Sequence, residues 1–474
     1  MPNRREFIGS AVAATLIPNI SLSQTRRRPN ILFILADDLG YGDLSCYGRP
    51  DYQTPNLDRL ASQGVRFLNA YAASPLCTPT RCAFITGRYP ARTRVGLEEP
   101  LHEKRAMGEK ALTIGLPSEH PTVASLLKGS GYDTALIGKW HLGYLPNFAP
   151  TKSGFDEFYG IMSGAADFFT HKDMVGDLDF YEGEVPVERI GYMTDLLTRR
   201  AIEYISKRRK GSSERPFYLS LHYTAPHWPW EGPHDRPPDP ELRGPVAFRA
   251  GGSLKTYGEM MKSLDDGIGQ VLNALSRAGL ARDTLIVFTS DNGGERFSYH
   301  WPFAGEKGSL WEGGIRVPAI VRWPGVVPAG HLSQNPAISM DWTATMLAVG
   351  NAKADPAYPL DGIDLLNTGT AGVSLSAKRE PSPPRSLTSD ISHPSSRTFF
   401  WRHSNQSAVL KGPWKYLNDG TNEYLFNLDV DQRERANFRT QNSAMFEQLK
   451  KDFTVWESTV LPRLPQRIQR PTGL

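Results

Sequence analysis

Four short apolar runs lie in the first three hundred residues, and each is closed by polar ones. "PNILFILADD" opens at Pro29 and ends on two acids, a pattern that predicts a strand buried on both faces. "TALIGKWHL", "RPFYLSLHYTAPH" and "DTLIVFTSDNG" repeat it. Helical periodicity marks the stretches between: "TPNLDRLASQG" with its Gly64 stop, "PTVASLLKGSG", and the long "LKTYGEMMKSLDDGIGQVLNALSRAG". Strands alternating with helices predict an α/β fold, a large mixed, mostly parallel sheet sandwiched by helices. Ligands of such sheets sit beyond the carboxyl ends of the strands. Here those ends carry Asp37 and Asp38, Lys139 and His141, His227, and Asp291 with Asn292, so four strand ends are expected to point at one place.

The pattern changes near residue 372. "GVSLSAKREPSPPRSLTSDISHPSSR" is rich in Ser and Pro and has no period, which predicts a linker or surface excursion. Beyond it, "RTFFWRH", "SAVLKGPWKYLND" and "NEYLFNLDVD" predict antiparallel strands with tight turns, and "NSAMFEQLKKDFTVWES" a closing helix. The chain therefore divides into a leader at 1–28, an α/β domain with the polar strand ends at 29–375, and a linker with a small α+β domain at 376–474.

Composition narrows the function classes. The 474 residues are 39% apolar and 22% charged, with a formal net charge of only +4, so no bulk electrostatic case exists for a nucleic-acid or membrane partner. The N-terminal stretch "NRREFIGSAVAATLIPNISLSQ" places Arg4 and Arg5 before a modest apolar run from Phe7 to Ile17. This predicts a twin-arginine export signal and a periplasmic or secreted protein. A membrane span needs roughly 20 apolar residues, so this run, broken at Pro18, predicts no stable insertion. Cys46, Cys77 and Cys82 are too few for a disulfide framework, and the sequence leaves open whether Cys46 and Cys82 pair.

Asp37, Asp38, Asp291 and Asn292 form two adjacent pairs at predicted strand ends. Three carboxylates and an amide suit a hard cation, Ca²⁺ or Mg²⁺, and no His/Cys group at zinc spacing is visible. Either pair alone reads better as turn or cap residues. "CTPTRCAFITGR" decides between these readings. It resembles the signature of type I, formylglycine-dependent sulfatases, C-x-P-[S/T/A]-R followed by T-G, with Cys77, Pro79, Thr80, Arg81, Thr86 and Gly87. "ADDLGYGD", "TPNLDRLASQGVRF", "GYDTALIGKWHLG", "HYTAPHWP", "FTSDNGGE" and "GEKGSLWEGGIRVP" follow in that family's usual order. The chain is most similar to the arylsulfatase and N-acetylgalactosamine-sulfatase branch of the alkaline phosphatase superfamily.

The resemblance implies that a separate maturase oxidises Cys77 to formylglycine (3-oxoalanine), which works as the hydrate. One hydroxyl attacks sulfur and the second lets the adduct collapse, expelling sulfate by C–O cleavage, so two steps replace one difficult hydrolysis. Carried over residue by residue, Asp37, Asp38, Asp291, Asn292 and residue 77 would hold Ca²⁺. Arg81, one helical turn after Cys77, would orient the diol. Lys139 would bind nucleophile and sulfate, and His141 would be the base of the collapse. His227 and Lys307 would bind sulfate and protonate the leaving alcohol. Trp228, Trp230, Trp301 and His300 flank the motifs and are candidates to meet a sugar ring, though core packing accounts for them equally well. The expected substrate is a sulfated saccharide or aryl sulfate. The alternatives are a phosphonate or phosphodiester hydrolase of the same superfamily, and a sulfated-glycan binder with an unmodified Cys77.

Overall fold

The computed structural model describes residues 28–208, 215–235, 244–366 and 397–465. The predicted export signal and the Ser/Pro-rich linker lie outside these residues.

The apolar runs become the centre of a ten-stranded sheet. Thr284–Ser290, Asn30–Ala36, Phe217–His222, Asp133–Gly138 and Glu157–Gly160 lie side by side and parallel, in that order. Short strands that sequence pattern does not announce, such as Val65–Phe67 and Ala319–Arg322, pair antiparallel and make the sheet mixed. Alternation along Asn30–Ala36 feeds two cores. Leu32, Ile34 and Ala36 pack with the helices Pro55–Ser62, Met193–Ser206 and Leu254–Arg277 on one face. Ile31, Phe33 and Leu35 pack with Cys77–Thr86, Val123–Gly129 and Ser339–Val349 on the other. Continuous apolar runs are the expected signature of strands covered on both sides. Among the described residues no helix is long and apolar enough to cross a membrane.

The C-terminal strands Thr398–His403, Gln406–Lys411, Trp414–Asn418 and Glu423–Asn427 form a separate antiparallel sheet against the helix Ser443–Glu457. Asn442 caps that helix by accepting the Met445 N–H. The sheet packs against the α/β domain through the Cys77–Thr86 helix and neighbouring short segments, not against the large sheet itself. Trp401, Leu417 and Phe446 cluster with Tyr71, Ala83, Leu310 and Ile315, and the Trp401 indole donates to the Ala72 carbonyl at 2.7 Å.

Candidate active site at the strand ends

Parallel register brings the polar strand ends together. Ala36 lies beside Ser290, Leu35 beside His222, and Gly138 beside His222. The residues one step further, Asp37, Asp291 and Lys139, therefore emerge at one level. Asp38 and His141 have left-handed backbones, with φ of 59° and 58°. Asp and His tolerate that region better than most residues, and such strain gathers at functional sites. The strand Asp133–Gly138 stops before Lys139. The left-handed turn, rather than strand alternation, therefore sets the direction of the His141 ring.

The acids are fully enclosed, Asp291 and Asn292 at 0% exposure. Lys139 Nζ donates to Asp37 Oδ2 at 2.7 Å, and Lys307 Nζ to Asp38 Oδ2 at 2.5 Å. Arg81 clamps Asp291 Oδ2 from Nε at 3.0 Å and from a terminal nitrogen at 2.8 Å. Burial pushes the Asp37 carboxyl up to about 8 against the pull of Lys139. Burial acts on Asp291 as well, but Arg81 and Lys139 overcome it and hold that carboxylate at about 2. Asn292 donates from Nδ2 to Asp38 Oδ1 at 2.7 Å and to the Gly293 carbonyl at 2.9 Å.

Two acceptor oxygens in this enclosure have no hydrogen-bond partner, Asn292 Oδ1 and Asp37 Oδ1, the latter with only the Arg81 guanidinium 3.3 Å away. A buried unpaired acceptor costs about 1–3 kcal/mol, and a hard cation among them would remove that penalty. The oxygen donors thus fit Ca²⁺ or Mg²⁺. Ligand atoms of Asp37, Asp38, Cys77 and His227 lie within 4.8 Å of one another, the one such group among the described residues. His227, read from sequence as a substrate residue, thus joins the metal-competent group. Asp291 stands beside it with Oδ2 on Arg81 and Oδ1 accepting the Asp38 N–H at 3.1 Å.

Cys77 is the first residue of its helix, which has no side-chain cap, so the positive end of the helix dipole falls there. Burial pushes its thiol up to about 12, although Lys139 and Lys307 pull it down. The two histidines resolve into definite tautomers because each faces a carbonyl. His141 Nε2 donates to Leu101 O at 2.9 Å, which leaves Nδ1 a lone pair, and Nδ1 is buried without a partner. His227 Nδ1 donates to Trp228 O at 2.6 Å, and Nε2 turns toward Asp38 Oδ2 at 3.4 Å. Burial, with Lys139 beside His141 and Lys307 beside His227, holds both rings well below the ordinary histidine value. Gly164 lets the His141 ring lie close, since a Cβ there would sit 2.6 Å from Cε1.

The remaining candidates separate. Arg81 spends its donors on Asp291 and on Lys139 O at 3.1 Å, bracing the acids. Trp228 and Trp230 are 6% exposed, yet Trp228 Nε1 lacks a partner, and Lys307 Nζ lies 5.9 Å from its ring. Trp301 is 55% exposed, with the Arg433 guanidinium 3.7 Å from its ring centroid. His300 donates from Nε2 to Gly294 O at 2.9 Å. All three cysteines are free, and Cys82 Sγ lies 2.8 Å from Thr93 Oγ1, so no Cys46–Cys82 bridge forms.

Sequence reading passes over His222. Its Nδ1 donates to Lys139 O at 3.0 Å, and its Nε2 accepts from Ser220 Oγ at 2.7 Å, which in turn accepts from Tyr218. The alternating polar positions Tyr218, Ser220 and His222 in an otherwise apolar strand were the available signal. Burial, helped by Arg81, holds His222 down to about 3, so it braces the site as a neutral ring.

Comparison with known proteins agrees with this geometry. The Sulfatase family model matches residues 29–352, the part that carries every strand-end residue above. N-acetylgalactosamine-6-sulfatase of Sus scrofa is 36% identical over 358 residues, covering 71% of this chain and 65% of that protein. Steryl-sulfatase of Mus musculus is 34% identical, covering 77% and 70%. The solved structure of Ps i-CgsB in complex with k-i-k-neocarrahexaose superposes with a TM-score of 0.75 at 29% identity, covering 90% of this chain and 92% of that one. The matched region spans about two thirds of the length of the N-acetylgalactosamine-6-sulfatases. With the strand-end acids, the Cys77 helix and the flanking cations all inside the matched region, the chain belongs to the sulfatase family.

Proposed function

We propose that this protein hydrolyses sulfate monoesters, with a sulfated saccharide as its substrate. The observation that carries the reading is the balance of charge around residue 77. Asp37, Asp38 and Asp291 are matched by Arg81, Lys139 and Lys307, all within one enclosure. Asp37, Asp38, Asn292 and Asp291 would hold a divalent cation, Ca²⁺ being preferred, and its charge would make the site net positive and receptive to an anion. A sulfate monoester is such an anion, shielded at sulfur by its own oxygens.

Residue 77, as formylglycine hydrate, would supply an oxygen nucleophile with a second hydroxyl for release of sulfate. The chain's own groups then have defined tasks. Lys139 and Lys307 neutralise sulfate oxygens. His141 Nδ1, a buried lone pair without a partner, would be the base that accepts the proton of the remaining hydroxyl. His227 Nε2 carries a proton to the leaving alcohol once an anion beside it offsets the charge of Lys307.

The complex of Ps i-CgsB with a carrahexaose, at 29% identity, supports a saccharide substrate. The Arg4–Arg5 leader supports export to the periplasm or beyond, where such polymers are met. The test pairs intact mass with kinetics. The peptide containing residue 77 is expected to be lighter by about 18 Da, the exchange of thiol for aldehyde. The modified protein should give a higher kcat/KM on sulfated mono- or oligosaccharides than on nitrophenyl sulfate or a phenyl phosphonate ester. A preference for the phosphonate would overturn the reading.

A further inference from the structure

The turn between the first two C-terminal strands, residues 403–406, reaches both walls of the site. On one side Glu99 Oε2 accepts the Ser404 N–H at 2.8 Å and the Ser404 hydroxyl at 3.1 Å, and His403 Nδ1 lies 3.2 Å away. Glu99 is two residues before Leu101, whose carbonyl fixes the His141 tautomer. On the other side Gln406 uses both ends of its amide. Its Oε1 accepts the Leu310 N–H at 3.0 Å, and its Nε2 donates to the Gly308 carbonyl at 3.1 Å. Gly308 in turn donates to Pro75 O at 3.0 Å, two residues before Cys77. The turn itself is held by Arg463, which donates to the carbonyls of Ser404 and Gln406.

We propose that Gln406 is a positioning residue for Lys307. The segment from Ala304 to Trp311 has no helix or strand of its own, and Gly305 and Gly308 have φ of 79° and 83°, so its backbone has wide freedom. Besides the Gln406 clamp, Lys307 N donates to Gly294 O at 3.0 Å. The amide of Gln406 acts on residues 308–310 as a neighbouring strand would, taking one carbonyl and one N–H. With the backbone fixed beside it, the Lys307 ammonium is held on Asp38 and next to residue 77. The small C-terminal sheet is thereby part of the catalytic apparatus without touching the reacting atoms.

For its kinetic consequence the proposal rests on the sulfatase reading, whereas its structural consequence is read without turnover. Gln406→Met keeps the shape and removes both hydrogen bonds. In reductive methylation followed by peptide mass measurement, Lys307 should react about fivefold faster in this variant, while fully buried Lys415 stays protected. In kinetics, kcat on the saccharide sulfate should fall about tenfold, beyond the loss on nitrophenyl sulfate, because an alkoxide leaving group depends more on a placed cation. In a Lys307→Ala background the same change should cost nothing further. Unaltered Lys307 labelling, or the same loss in both backgrounds, would overturn the assignment. Faster labelling in a protein that turns over no sulfate ester would uphold the clamp and reject the reading of the reaction.

Discussion

Two clusters of buried charge flank the 304–311 loop, and they are finished differently. In the one that joins the sheets, Lys415 Nζ lies 2.8 Å from Glu312 Oε1 and 2.7 Å from Glu434 Oε1. Glu312 Oε2 accepts from the Tyr71 hydroxyl at 2.9 Å and from Arg316 at 3.1 Å, and Glu434 Oε2 accepts the Glu312 N–H at 2.7 Å. Each carboxylate oxygen there lies within 3.1 Å of a donor, although Glu434 Oε1 meets Lys415 as an ion pair without hydrogen-bond geometry. In the strand-end cluster, equally buried, Asn292 Oδ1 and His141 Nδ1 have no hydrogen-bond partner, and Asp37 Oδ1 has only the Arg81 guanidinium at 3.3 Å. A saturated cluster fixes one arrangement of the chain, whereas unsatisfied atoms in an enclosed site mark where a cation and a substrate complete the set.

The sharpest break of this comparison is at residue 77. Cys77→Ser, made in a host without a serine-accepting maturase, leaves no second hydroxyl, so turnover should fall by about 10³-fold or more. Steady-state rates with intact mass check this, and an unimpaired serine variant would sink the mechanism. Next, Asp38→Ala removes a carboxylate of the proposed cation site that also pairs with Lys307. Calorimetric Ca²⁺ affinity and kcat/KM should both drop, the latter by about 10²-fold, and full activity after exhaustive chelation would contradict the cation site. Gly164→Ala pushes on the His141 ring, and a displacement near 1 Å costs about 10²-fold in rate. The loss should appear in kcat per folded molecule, with a modest fall in Tm, because overpacking a buried contact costs about 1–3 kcal/mol.

The saturated cluster should respond in the opposite sense. Lys415→Ala leaves Glu312 and Glu434 facing each other and should cost about 3–5 kcal/mol of stability, read as a lowered Tm. The kcat per folded molecule should fall far less than in the Gly164 variant. The effect that vanishes at neutral pH concerns His222. Its folded value near 3 lies below the ordinary 6.5, so only the unfolded chain takes up the proton between them. The stabilisation is complete above pH 6.5 and is lost as pH falls toward 3, by at most about 1.4 kcal/mol per pH unit. Gln at 222 should flatten that part of the Tm–pH curve, and an identical slope would remove His222 from the account.

Strands buried on both faces are legible because nothing polar can sit in them, and the acids that end them are legible by contrast. The same logic exposed Asp37, Asp38, Asp291 and Asn292, although the sequence cannot say that Arg81 would occupy Asp291 so fully. His222 and Gln406 were hidden for different reasons. A histidine inside a strand reads as an interruption until its neighbours' carbonyls are placed, and Gln406 acts about a hundred residues from the loop it holds. Long-range hydrogen bonds between side chain and backbone leave no period. Trp228 and Trp301 look alike in sequence, but one is enclosed beside Lys307 and the other lies open under Arg433.

The depth of residue 77 bears on timing. At 2% exposure, with the helix Cys77–Thr86 buried along its whole length, the side chain is out of reach of any other protein once the fold has closed. An oxidising maturase would have to meet the chain earlier, so modification and folding would run as competing rates. Slowing folding, by lower temperature or a destabilised C-terminal sheet, should raise the modified fraction, while abundant but fast-folding protein should accumulate with an intact thiol. The yield of working enzyme would then be a kinetic quantity, set before the native state exists.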